Sequence, residues 1–157
     1  MDDLPYLERV KIQSEILLPL FKRLREEIGR EKANELLRAS VDEYAANLGE
    51  SIRQSATGSS LEKLRAVIPQ FAAGDALEVE PVANDSHTLS MDVRGCQYAA
   101  YFKSLGEPEF GAMLTCEIDP PMTRAIGEDL TLARTKTIMA GDEVCDFRWK
   151  LNPQSAD

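Results

Sequence analysis

The chain has 157 residues, 18 of them basic and 27 acidic, for a net charge of −9, with 43% hydrophobic and 29% charged residues. That length fits one domain with a core of its own, while the acidity speaks against nucleic acid and anionic membranes, both of which are held by clustered Lys and Arg. The start, Met1-Asp2-Asp3-Leu4, lacks a signal peptide's basic and apolar segments, and no stretch approaches the ~20 apolar residues of a membrane span, so a cytoplasmic protein with three free thiols is expected.

The first half reads as helix. From Pro5 to Ile28, Val10, Leu17, Phe21, Leu24 and Ile28 recur at helical spacing. Pro19 lacks an N–H and must kink or break this run, and Gly29 is a stop. From Arg30 to Leu48, Ala33, Leu36, Leu37, Ser40, Val41, Tyr44, Ala45 and Leu48 define a second helix, with Gly49 as its cap. Leu36, Leu37, Val41, Tyr44 and Leu48 are expected to be buried against a sheet. Residues Gln54 to Ser60 form a polar linker. Ser59 and Glu62 match a capping box, which starts a third helix with Leu61, Leu64, Ile68 and Phe71 inside. Pro69 implies a kink or an early end to it.

After Gly74 the period changes to two. Leu77 and Val79 alternate with Glu78 and Glu80, and Leu89, Met91 and Val93 with Ser90, Asp92 and Arg94, with a turn at Asn84-Asp85-Ser86. Cys96 to Leu105 reads as a short helix ended by Gly106, and Glu109 to Glu117 as another. Asp119-Pro120-Pro121 cannot lie inside a helix. Thr131 to Met139 is a β-branched stretch before the turn Ala140-Gly141-Asp142. A last strand, Glu143 to Leu151, puts Cys145, Phe147, Trp149 and Leu151 on one face and Asp146, Arg148 and Lys150 on the other. The tail from Asn152 is expected to fray. The expectation is an α+β fold: three N-terminal helices packed on an antiparallel sheet with short inserted helices. It forms a single domain over 1–157, with a helical part at about 5–73 and a sheet-containing part at about 76–151.

The C-terminal half carries an ordered set of fragments: Gly95-Cys96-Gln97-Tyr98, Leu105-Gly106-Glu107-Pro108, Leu114-Thr115-Cys116-Glu117-Ile118-Asp119, Arg134-Thr135-Lys136-Thr137, and Gly141-Asp142-Glu143-Val144-Cys145-Asp146-Phe147-Arg148-Trp149. Together they resemble the L-2-amino-thiazoline-4-carboxylic acid hydrolase family, with specificity over about residues 90–150. The resemblance implies a hydrolase that opens a small cyclic amidine or thiazoline-like substrate at a C–N or C–S bond; the family is named for converting 2-amino-thiazoline-4-carboxylate to N-carbamoyl-cysteine. The family is similar in turn to the vinyl-reductase-type small-molecule-binding domains, a likeness that brings cysteine-held metals or cofactors into view.

Such ring opening needs a nucleophile, an acid for the departing heteroatom and a holder for the substrate carboxylate. Cys116, Cys145 and Cys96 are the candidate nucleophiles, since a thiolate is the strongest nucleophile near neutral pH. Asp119, three residues after Cys116, and Asp146, directly after Cys145, are the candidate acid/base groups. Arg134 and Arg148 suit a carboxylate, which a guanidinium grips with two donors.

Each has a plainer reading. The cysteines suit a core, Asp119 a cap, Asp146 and Arg148 a solvated strand face, Arg134 a cross-strand pair, and His87, the sole histidine, a strand end. No cofactor is required, but zinc or another divalent metal on Cys96, Cys116, Cys145 and Asp119 is an open alternative. So is a sensor-like module that binds a small molecule or metal without turnover. The expected partner is a small, carboxylate-bearing molecule, not nucleic acid or membrane; a homo-oligomer is compatible with the sequence.

Overall fold

The structure, a computed structural model, describes residues 4–152. The acidic start Met1-Asp2-Asp3 and the tail beyond Asn152 lie outside the described residues. Three long helices come first: α1 (Tyr6–Ile28), α2 (Arg30–Ser55) and α3 (Ser60–Ala72). Four strands follow, β1 (Leu77–Asn84), β2 (Thr88–Cys96), β3 (Leu130–Ala133) and β4 (Cys145–Leu151), paired antiparallel in the order β1-β2-β4-β3. Between β2 and β3 lie α4 (Gln97–Ser104), α5 (Pro108–Gly111), a π-helical turn (Ala112–Cys116) and α6 (Asp119–Ile126). This is the expected α+β arrangement, with helices preceding the sheet.

Helix α1 runs through Pro19 without a break. It buries Leu7, Val10, Ser14, Leu18 and Phe21, with Ser14 Oγ donating to the Val10 carbonyl at 2.7 Å. The expected Leu17 and Ile28 instead stay exposed, because the buried stripe is rotated toward Leu7 and Leu18. Gly29 separates α1 from α2 at φ 84°, a left-handed value that a side chain would strain.

Helix α2 continues seven residues past Leu48, so Gly49 is not its cap. Gly49 is a contact point with α6: a Cβ there would lie 2.4 Å from the Met122 carbonyl oxygen and 2.7 Å from Ala125 Cβ. The buried line on α2 is therefore Ala33, Val41, Ala45, Gly49 and Ile52. Leu36 and Tyr44, expected inside, are 45% and 48% exposed, because small residues let α2 approach its neighbours along a narrower stripe.

The capping box of α3 is complete. Ser59 Oγ accepts from the Glu62 N–H at 3.3 Å, and the Glu62 carboxylate accepts from the Ser59 N–H at 2.7 Å. Helix α3 passes through Pro69, again without ending there. In the β1–β2 hairpin the Asp85 carboxylate accepts from the N–H groups of His87 and Thr88 at 2.8 and 2.9 Å. His87 thus sits in the turn, one residue beyond the expected turn segment.

Three expectations in the second half are corrected. The helix expected over Glu109 to Glu117 splits, because the Glu117 N–H bonds the Ala112 carbonyl five residues back. Asp119-Pro120-Pro121 begins a helix that the sequence reading missed; two prolines at its first positions need no N–H donors there. The strand expected over Thr131 to Met139 stops at Ala133, and the chain turns into a 3₁₀ helix at Ile138–Ala140.

Two apolar clusters form the core. One joins α1, α4 and α5 through Leu7, Phe21, Phe102 and Phe110. The other packs α2, α3 and α6 on the sheet through Val41, Leu64, Met91, Met122 and Trp149. Each such side chain contributes about 1.5–3 kcal/mol by leaving water. Trp149 satisfies its buried indole N–H on Thr123 Oγ1 at 3.1 Å. Among the described residues no helix is long and apolar enough to cross a membrane.

Candidate functional site

Where the two clusters meet, a cavity of about 80 Å³ opens between the start of α1, the end of α3, the sheet and the π-helical turn. Cys96, Cys116, Cys145, Asp119 and Arg134 all line it. They come from five places: the end of β2, the π-helical turn, the start of β4, the first residue of α6 and the segment after β3. Five of the seven residues singled out for chemistry thus face one small space.

Asp119 and Arg134 form an ion pair inside it, their side chains only 19% and 13% exposed. Arg134 Nη2 also donates to the Cys116 carbonyl at 2.9 Å, and its guanidinium lies 5.1 Å from the centre of the Phe147 ring. Burial pushes the Asp119 carboxyl up to about 6, against the pull of Arg134 in the other direction. A carboxyl group near 6 can exchange a proton at cellular pH.

The thiols behave differently. Burial pushes Cys116 up to about 12, helped by the neighbouring Asp119 charge. Cys96 caps α4, accepting from the Ala99 N–H at 3.4 Å, yet burial still raises its pKa. Cys145 accepts from the Ile138 N–H at 3.2 Å and is also raised by burial. All three are held as thiols, so no resting thiolate waits in the cavity.

Asp146 and Arg148 are not in this space. Asp146 turns its carboxylate to the loop after β3, accepting from the N–H groups of Thr135 and Lys136 at 2.9 and 2.6 Å and from the Thr135 hydroxyl at 2.6 Å. These donors hold it below the usual carboxylate range despite some burial. Arg148 binds Asp92 at 2.7 Å and the Met91 and Phe147 carbonyls at 2.9 and 2.8 Å, on the sheet face opposite Cys145. His87 is exposed in its turn and does not reach the cavity.

The sequence reading did not single out Tyr6, Phe71, Tyr98 or Thr115, which also line the cavity. Tyr98 was visible inside the Cys96 fragment; its hydroxyl donates to the Phe71 carbonyl at 2.8 Å. Tyr6 and Phe71 come from helices far away in sequence; Phe71 is expected inside on the α3 stripe, but nothing in the sequence ties either residue to the site. Among the described residues, no group of three or more histidine, cysteine, aspartate or glutamate side chains converges closely enough to hold a metal ion. Asp119, the one oxygen ligand of the zinc alternative, is taken by Arg134.

A model of the L-2-amino-thiazoline-4-carboxylic acid hydrolase family matches residues 9–149. The chain belongs to this family. Its name is that of a hydrolase, and the match takes in every cavity residue named above except Tyr6. No curated protein matches the chain. Among solved structures, the phenol-responsive sensory domain of the transcription activator PoxR, crystallised with phenol, superimposes with a TM-score of 0.56 over 86% of this chain and 72% of that one. At 15% identity this likeness shows a shared fold.

Proposed function

We propose that this member of the thiazoline-carboxylate hydrolase family opens a small cyclic amidine or thiazoline-like carboxylate, with Asp119 as the proton carrier. The observation that carries the reading is the Asp119 carboxyl, set in a small cavity beside three thiols and a guanidinium and pushed up to about 6.

Arg134 is the counter-charge for the substrate carboxylate. The influences that lower the Asp119 pKa all come from Arg134. A substrate carboxylate that takes over this guanidinium therefore removes them, and Asp119 takes up a proton. Binding would so load the acid that the reaction needs. For a 2-amino-thiazoline-4-carboxylate the overall balance is the addition of one water at C2 and cleavage of the C2–S bond. The oxygen remains on carbon, the ring nitrogen ends protonated, and the sulfur leaves as a thiol. Once Asp119 has given its proton to the ring nitrogen, its carboxylate can accept the proton of the attacking water or thiol and return it to the departing sulfur.

The test is turnover of 2-amino-thiazoline-4-carboxylate, followed by release of free thiol, in the parent protein, Asp119→Asn and Cys116→Ser. The expected result is turnover by the parent and its loss in Asp119→Asn. A second reading, small-molecule sensing without turnover, draws on the fold shared with a domain crystallised with phenol. Binding of ring compounds by a parent protein that hydrolyses no cyclic amidine, thiazoline or hydantoin would select it.

A further inference from the structure

Helices α1 and α2 leave a groove of about 460 Å³ between them, walled by Val10, Ile16 and Leu17 from α1 and by Leu37, Val41 and Tyr44 from α2. None of its lining residues is charged, in a chain of which 29% is. Beside the groove stands a ridge. Ile16 is 75% exposed, and Ile12 and Leu20, one turn to either side of it, are 54% and 52% exposed. With Leu7, Leu18 and Phe21 turned into the core, α1 is apolar on its outer side as well as its inner one. A helix apolar all round is ordinarily covered all round. In the single chain only the inner side of α1 is covered.

Area and charge say what covers the rest. Together with Leu17, Leu36 and Tyr44 the ridge exposes roughly 600 Å² of surface, the top of the range for one patch on a monomer. Laid against a second such patch it buries about 1,200 Å² in all, where stable interfaces begin. The α1 face also matches itself. Ile16 and Leu20 lie either side of Leu18, and Arg9 and Glu27 lie nine residues before and after it. That spacing of Arg9 from Glu27 makes about five full turns, so both stand in line on the face that Ile16 and Leu20 share. Two α1 helices laid antiparallel about Leu18 bring Ile16 onto the partner's Leu20 and Arg9 opposite the partner's Glu27. A two-fold axis repeats both contacts. Neither Arg9 nor Glu27 is used in an ion pair among the described residues.

We propose that a second copy of this chain covers the α1–α2 face. The result is a two-fold dimer in which the α1 helices pack antiparallel and each Ile16–Leu20 ridge closes the mouth of the partner's groove. A basic partner drawn by the acidic chain would find no charge inside the groove to hold it, whereas the apolar ridge of a second copy needs none.

The experiment is sedimentation equilibrium of the full chain at up to about 50 µM, well above the Kd of an ordinary micromolar dimer. Ile16 and Glu27 are exposed on α1 and do not line the catalytic cavity, so substitutions there leave the fold and the thiol site in place. The parent is expected to be a dimer, and Ile16→Glu, its fold checked by circular dichroism, a monomer. Glu27→Arg makes the chain less acidic, which would tighten a dimer opposed only by the general repulsion of like charges. Facing Arg9, it is instead expected to weaken the dimer at least threefold. Glu26→Arg changes the charge equally but points about 100° away around the helix, and it is expected not to weaken the dimer. A monomeric parent, a dimer untouched by Ile16→Glu, or equal effects of Glu27→Arg and Glu26→Arg overturns the inference. A monomeric parent that binds phosphatidylcholine vesicles overturns it too and assigns the face to a bilayer.

Discussion

Arg134 holds two parts of the cavity wall at once: it pairs with the Asp119 carboxylate and donates to the carbonyl of Cys116, 18 residues away. The π-helical turn, the start of α6 and the segment after β3 are thereby tied at one guanidinium. Removing this cation leaves the carboxylate buried alone. Arg134→Met is expected to lose roughly 3 kcal/mol of stability at pH 8, the usual cost of stripping one partner from a buried pair. The loss should shrink at pH 5, where Asp119 is protonated without its partner. Urea unfolding at the two pH values checks this, and an equal loss at both would show that the ion pair is not what the mutation removes.

Asp119→Asn should move stability and activity in opposite directions. The folded-state pKa of about 6 lies above the ordinary 3.8. Between those values the native state binds a proton that the unfolded chain has released. The contribution to stability is full below about pH 4 and is lost as pH rises through about 6. A shift of about two units corresponds to 2–3 kcal/mol. At pH 8 the Asn variant, which has no charge to bury, is expected to be more stable by up to that amount, while at pH 4 the gain disappears. Turnover should fall about 10²–10⁴-fold, the range of a general acid/base group. Thermal unfolding across pH, alongside the thiol-release assay, reads both effects.

Because burial raises all three thiols, iodoacetamide should modify none of them quickly in the native protein at pH 7.5. Three equivalents should react once the chain is unfolded in denaturant. Fast alkylation of one thiol in the folded state would mean that the free site holds a thiolate, and mass spectrometry would identify it.

Asp146→Asn tests a supporting role. Its carboxylate fixes the backbone of Thr135 and Lys136, directly after Arg134. The expected outcome is a loss of about 1–3 kcal/mol and reduced turnover with an unchanged pH profile, since Asp146 does not exchange the catalytic proton. A displaced pH profile would return Asp146 to the reacting groups.

Gly49→Ala is expected to cost about 1–3 kcal/mol by overpacking, because its new methyl would meet the Met122 carbonyl and Ala125 across the α2–α6 contact. Denaturant unfolding gives the value. A cost under about 0.5 kcal/mol would show that the helices separate easily at that point.

Much of the fold was written locally. The alternation of Leu89, Met91 and Val93, the Ser59–Glu62 capping box and the parity of Cys145, Phe147 and Trp149 depend on residues close in sequence and reappear in the structure, whereas the buried stripes of α1 and α2 came out rotated and Val79 of β1 is exposed. The ordered fragments from Gly95 to Trp149 pointed to the family and to the thiols, Asp119 and Arg134. The sequence made both Asp119 and Asp146 candidates, since each follows a cysteine. The tertiary structure distinguishes them by surroundings: Asp119 is enclosed with Arg134, whereas Asp146 has three donors from a loop. The sequence reading could not place Gly49, a helix end by type but a helix contact in space, or Tyr6 and Phe71, which reach the cavity from α1 and α3. The physical reason is common to these cases. Period and capping are properties of a few consecutive residues, whereas the shape of a cavity and the dielectric around a carboxyl group are set by all the elements packed against it.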